Sequence, residues 1–362
     1  MPIGQEGEAQ DVTGTEVTGV AERIADGRNF AVLVTPEIDR NNRRHAVTAS
    51  AVVAVAGGSL GWVYPPLLVA LLLAPVAYWL LRRRCVRRMA AARRPFPAEW
   101  RAVLERRVRY YRALDDEKKE RFRQMVAVFL DEVRVTGVRT EVDDTVRVLV
   151  AAGAIIPVFG FGDWEYHRLG EVHVYPGAFD KGYQTEQAAD ANILGLTGLG
   201  HLRGVVILSK PSLLAGFSET PGPENVGVHE FAHVVEQEEV HGGLPPEIPP
   251  EVVRQRVGYV ARELAHPSNR NAGISDYAYT NEHEFFAVLS EYFFGSPEVL
   301  RTKAPALYDL LRKLFHQDPA AMTLAPSRGR ARPNGPCPCG SGKPFKDCCL
   351  LGTAKSSATN PS

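Results

Sequence analysis

Cysteine is scarce in this chain: there are five in 362 residues, and four of them fall between Cys337 and Cys349. That excludes a disulfide framework spread through the fold. Net charge is also absent, because 42 basic and 42 acidic residues cancel. No global field therefore recruits nucleic acid. There is no glycine-rich phosphate-binding motif and no internal repeat. Most telling, the 36 residues from Ala46 to Leu81 carry no charge at all. Such a run is too long for one ordinary membrane span and suits two of about 18 residues each. It also starts too late, and runs too long, for a cleaved signal.

Those gaps set the layout. Residues 1–44 are polar and read as a disordered tail. Residues 45–81 read as a transmembrane hairpin, with its turn around Gly61 to Pro66. Residues 82–95 hold seven arginines, from Arg82 to Arg94, and Arg40, Arg43 and Arg44 flank the other end. Positive flanks on both sides predict that both ends of the hairpin face the cytoplasm, which places the following domain there, on the inner (cytoplasmic) membrane. Residues 96–325 are enough for one globular catalytic domain, whose first half reads as helices. Phe122, Met125, Val126, Phe129, Leu130 and Val133 form one helical stripe, and Val146, Leu149 and Val150 begin a second. Residues 326–335 read as a linker, 336–350 as a small metal motif and 351–362 as a tail.

The chemistry concentrates in His229-Glu230-Phe231-Ala232-His233. On a helix, positions i and i+4 share one face, so both imidazoles can point at one metal ion. Glu230 lies beside that face, where it can reach a water on the metal. Val228, Phe231, Ala232 and Val235 supply the core-facing stripe, and Asn225 can cap the helix start. Upstream, Gly204 to Ser209 reads as a buried strand. Two imidazoles leave zinc short of ligands, so a third is required. His241 stands eight residues after His233, a poor spacing. A second helix, around Glu282 to Phe294, offers Glu282, Glu284 and Glu291, and spacing alone leaves all three open. Asn281 with Glu284 also resembles a capping box.

The tail carries a second pattern, Cys337-x-Cys339 followed by Cys348-Cys349. Four thiolates this close can enclose a structural zinc ion. The segment is too short for a hydrophobic core, so the metal would have to fold it. It resembles the SEC-C motif, which implies zinc and a protein or ribosome-type partner.

The stretch from Asp276 to Phe294, with Tyr277-Ala278 and then Glu284-Phe-Phe-Ala-Val-Leu-Ser-Glu-Tyr-Phe-Phe294, resembles the hallmark of the MtfA-like (Mlc titration factor A) zinc peptidases. Val172-His-Val-Tyr-Pro-Gly-Ala-Phe179 and the His229–His233 motif resemble the same family. The resemblance spans roughly Phe96 to Pro319. It implies an α+β, gluzincin-type zincin fold, with a small sheet beside the metal-binding helices. It implies a catalytic zinc on His229, His233 and Glu284, with Glu230 as general base for peptide hydrolysis by zinc-activated water. Tyr277 would stabilise the oxyanion; Glu291 either orients a histidine ligand, as metal sites usually require, or is a packing carboxylate. Where the family often has Leu-Asp after the second histidine, this chain has Val234-Val235-Glu236, so Glu236 would replace the aspartate. The resemblance also implies the competing role of binding a transcriptional repressor, with peptidase activity secondary.

Overall fold

The computed structural model describes Val34 and residues 36–322, apart from 163–165, 167–168, 179–194, 198–203, 219–221, 223, 241–247, 249 and 266–273. The four tail cysteines lie outside the described residues.

Two helices lead the described residues, α1 over Pro36–Val63 and α2 over Leu73–Arg93, joined by a 3-10 segment over Pro65–Leu72. Helix α1 starts inside the stretch expected to be a disordered tail. Residues 36–44 are helical because their polar groups have partners on α2. Arg82 Nη1 donates to Asp39 Oδ1 at 2.6 Å, and Asn42 Nδ2 donates to the Leu81 carbonyl at 3.2 Å. Cys85 is buried beside Asp39 and Arg82. Above this polar junction the helices turn their apolar side chains outward. Val52, Val55, Trp62, Leu72 and Trp79 are all exposed. Among the described residues one helix, over Pro36–Trp62, is long and apolar enough to cross a membrane, and only 17% of its apolar window is buried.

Helix α2 continues without a break past Leu81 to dock on the rest of the chain. Arg88 forms a two-pronged pair with Glu132, at 2.6 Å on both oxygens, and Arg87 reaches Asp131 at 2.9 Å. Helices α3 (Ala98–Arg107) and α4 (Arg109–Arg112) follow, then α5 (Asp116–Glu132). Asp115 caps α5 by accepting from the Lys118 amide at 2.8 Å, and Asp116 and Glu117 favour its N-terminus. Its predicted stripe is buried, with Val133 just past the helix end.

After strand β1 (Arg134–Gly137) comes α6 (Asp144–Val158), capped by Asp143 on the Val146 amide at 2.8 Å. From Val148 to Val158 it is buried on every side, so it is the central helix of the core. Its last carbonyls would be stranded there. Buried Gln317 meets them, donating to the oxygens of Ile156 at 3.0 Å and Pro157 at 3.2 Å.

Strands β2 (Glu171–Tyr175), β3 (Gly195–Thr197) and β4 (Val205–Ser209) complete a sheet of order β1-β2-β4-β3. The first three neighbours run parallel, and β3 is the antiparallel edge. Val172, Val174, Val206 and Leu208 face the main core, while Tyr175 and Ile207 pack in a small cluster on the other side. The predicted strand before the motif helix is therefore present, with a short helix α7 (Lys210–Gly216) intervening.

The remaining helices are α8 (Val226–Val240), α9 (Pro250–Ala265), α10 (Glu282–Gly295), α11 (Pro297–Lys303) and α12 (Pro305–Phe315), with a 3-10 turn over Asp276–Thr280 before α10. The fold is thus mixed: many helices and one small, mainly parallel sheet. Helix α8 lies directly on α6, because two glycines meet there. A Cβ on Gly153 would stand 3.1 Å from the Gly227 Cα. Gly153→Val is expected to force the two backbones apart and to cost about 1–3 kcal/mol. A urea unfolding midpoint equal to the parent's would contradict this packing.

Candidate metal centre

The centre grows from the two sides of α8. One side is apolar, and Val228, Phe231, Ala232 and Val235 are buried in the core. Phe231 is fixed from behind by Phe129, with ring centroids 6.0 Å apart, and by Tyr166 at 5.7 Å. The other side presents His229, Glu230 and His233, the first two buried despite their polarity. Asn225 caps the helix as expected, its Oδ1 accepting from the Val228 amide at 3.1 Å.

Helix α10 brings the third group. Asn281 caps it, accepting from the amides of His283 and Glu284 at 3.0 Å each. That is half of a capping box. Glu284 does not close the box, because its carboxylate turns to α8. Its Oε2 lies 3.0 Å from His229 Nε2, and its Oε1 lies 3.7 Å from His233 Nε2. One ligand atom from each of His229, His233 and Glu284 lies within 4.8 Å of the others. Glu282, the neighbouring candidate, points to solvent with its side chain 67% exposed.

Glu291, two turns further along α10, sits behind His229. Its Oε1 accepts from the Asn225 amide at 2.9 Å, and its Oε2 lies 3.7 Å from His229 Nδ1. It thus faces one ring nitrogen while Glu284 faces the other. Glu236 takes a different place from the one anticipated for it. It accepts from buried Arg256 of α9 at 3.1 Å and lies 2.9 Å from His283 Nδ1. Arg256 also covers the Phe286 ring at 4.6 Å. Glu236 therefore locks α8, α9 and α10 together rather than bracing a histidine of the motif.

Tyr277 stands on the 3-10 turn, whose start is held by Ser275: its Oγ accepts from the Tyr277 amide and its carbonyl from the Ala278 amide. Half-exposed, its ring centroid lies 6.2 Å from that of His229. Burial, then the carboxylates of Glu284 and Glu230, push its hydroxyl pKa far up, so it remains a proton-bearing donor. Glu230 lies against Gly195 of edge strand β3. A Cβ at Gly195 would overlap its carboxylate. Sequence reading missed this neighbour, since a three-residue strand carries no periodic signal.

The electrostatics fit a cation. Burial opposes charge on His229, but Glu284 and Glu291 outweigh it and raise its pKa well above the ordinary value. Burial likewise opposes the Glu284 carboxylate, yet bonds to His229 and His233 hold its pKa far below the usual carboxylate range. Two imidazoles and one carboxylate are the donor set of three-ligand catalytic zinc sites. The residues present therefore fit zinc.

Such a mixed fold, with these donors on two adjacent helices, is that of a metallopeptidase. The chain belongs to the glucose-regulated metallo-peptidase M90 family, whose model matches residues 80–316, and it is MtfA-like. The SEC-C motif matches residues 334–351. Mlc titration factor A of Cronobacter sakazakii is 26% identical over 237 residues, covering 62% of this chain and 87% of that protein. Its counterpart in Yersinia pestis is 34% identical over 108 residues, or 27% of this chain and 39% of that one. An uncharacterized protein of Synechocystis is 28% identical over 241 residues, covering 62% of this chain and 86% of its own.

Because its acidic partners raise the His229 pKa well above the ordinary value, zinc bound at this site would displace a proton. Affinity is expected to rise with pH through the elevated His229 pKa and then level off. Titration calorimetry at neutral pH, on the chain with Cys337, Cys339, Cys348 and Cys349 changed to Ser and in two buffers of different ionisation heat, should show net proton release. Equal heats in both buffers would count against it.

Proposed function

We propose that this chain is a zinc-dependent peptidase of gluzincin type, held at the cytoplasmic face of a membrane. The observation that carries the reading is the convergence of His229, His233 and Glu284, with a buried carboxyl group, that of Glu230, beside them. A pure binding surface has no use for a buried general base. Zinc held by those three ligands would supply a Lewis acid that polarises the scissile carbonyl and acidifies water.

The chain's own groups do the rest. Glu230 takes a proton from the attacking water and returns it to the leaving amine. Its place against Gly195 fixes it close to the sheet edge. An extended peptide can add to such an edge by main-chain hydrogen bonds. Tyr277, kept protonated, donates to the developing oxyanion. Glu291 holds the His229 ring in orientation, as metal sites generally require. Cys337, Cys339, Cys348 and Cys349 would hold a second, structural zinc, for which the SEC-C match is the support.

The membrane reading rests on the outward-facing apolar side chains of α1 and α2 and on the long apolar helix. The two helices form a hairpin in the inner membrane, with the arginines of α2 and of residues 40–44 on the cytoplasmic side. The name of the Mlc titration factors supports a second reading, in which the chain acts mainly by sequestering a protein partner such as a transcriptional regulator.

Peptide hydrolysis by the full chain beside Glu230→Gln separates these. On the peptidase reading, turnover falls by about a hundredfold or more while zinc content is unchanged. No turnover by the zinc-loaded parent, over a broad peptide library, would favour sequestration. Gly195→Ala gives a second check. It displaces the Glu230 carboxylate, so kcat should fall about tenfold or more with zinc retained, within the range a misplaced catalytic group costs. Unchanged kcat would mean that Glu230 does not act from this position.

A further inference from the structure

One cavity in the described residues shares no lining residue with the metal centre. It has a volume of about 620 Å³ and lies between α2 and the helices α5 and α6. Its two walls differ in chemistry. The α2 wall is cationic, with Arg83, Arg84, Arg87 and Arg88. The opposite wall is apolar, built from Met125, Val128, Phe129, Ile155 and Val158. Glu132 is the acidic group of the lining, and Arg88 already neutralises it with two short bonds. Arg84 lies further off, 3.5 Å from the same carboxylate, and its side chain is 56% exposed. Arg87 shares Asp131 with Arg94. Arg83 stacks over Trp79, 5.7 Å from its ring, and among the described residues no carboxylate lies within salt-bridge distance of it. The cavity mouth thus carries surplus positive charge over an apolar floor.

Its position narrows the ligand. Trp79 lines the cavity two residues before the apolar run ends at Leu81, and the arginines begin one residue later. On the membrane reading proposed above, on which this inference rests, that is the level of the lipid headgroups. Aromatic rings settle there, and basic side chains there attract anionic lipid. A cavity of this size is ordinary for a small-molecule site.

We propose that this cavity is a binding site for one anionic phospholipid of the surrounding bilayer. Its phosphate sits among Arg83, Arg84 and Arg87, its glycerol backbone faces the apolar wall, and its acyl chains run back past Trp79 into the bilayer. A zwitterionic lipid would bring its own cation to a wall that is already cationic, so it fits poorly.

The test uses the full chain in nanodiscs of mixed phosphatidylcholine and phosphatidylglycerol. Native mass spectrometry then counts the lipids that stay bound. One retained phosphatidylglycerol is expected, in preference to phosphatidylcholine. Arg83→Gln with Arg84→Gln should weaken retention by about fivefold per arginine. Arg43→Gln with Arg44→Gln removes equal charge near the same junction but outside the cavity, and should leave retention unchanged. Equal loss in both double variants would reduce the effect to diffuse surface attraction and overturn the site. Full competition by inorganic phosphate would show an anion site without lipid character, and would also overturn it. Extraction of membranes at alkaline pH keeps the two readings apart. A chain that washes off refutes the membrane anchor and this site with it. A chain that stays embedded yet retains no phosphatidylglycerol refutes the site alone.

Discussion

Helix α8 has to satisfy two incompatible surroundings at once. Its apolar side must complete the core against α6, and its polar side must hold two imidazoles and a carboxylic acid largely away from water. Buried polar groups are costly unless partnered. The partners come from α10, where Glu284 answers both histidines and Glu291 answers the opposite nitrogen of His229. The spacing of α10 from α8 is therefore set by hydrogen-bond length as much as by packing. The glycine contact between α6 and α8, the Phe231 cluster and the Glu236–Arg256 pair all hold α8 in that position.

Much of this was legible in the sequence, because helical periodicity and capping are local signals. Asn225, Asn281, the stripes of α5 and α8 and the strand at Val205–Ser209 all stand where pattern placed them. The choice among Glu282, Glu284 and Glu291 was not local. It depends on which carboxylate faces α8, and the resemblance to the Mlc titration factors pointed to Glu284. Two features had no local signal at all. Gly195 meets Glu230 across a three-residue strand, and Glu236 finds Arg256 twenty residues on in a different helix. The start of α1 was misplaced for a related reason. Its polar residues read as a tail, and their partners lie 39 to 43 residues away on α2.

The family match begins at residue 80, inside α2, rather than at the first helix after it. The second half of α2 accordingly belongs physically to the peptidase fold. Ala91 and Ala92 are buried against Val128, and four arginines pair with Asp131 and Glu132 at the end of α5. The arginine-rich stretch over residues 82–95, read from the sequence as a flank that sets membrane orientation, is in large part a docking strip.

That strip leaves no slack in the chain. A flexible linker would let a tethered enzyme sweep a volume, as a dog on a lead covers a circle. Here one uninterrupted helix runs from the apolar hairpin into the catalytic domain and is bolted to it by ion pairs. On the proposed anchor, the metal centre keeps one height and one bearing above the bilayer. With the proposed activity, such a centre would select by geography: a peptide would be cut according to where along the membrane normal its susceptible bond is presented, before its sequence is read.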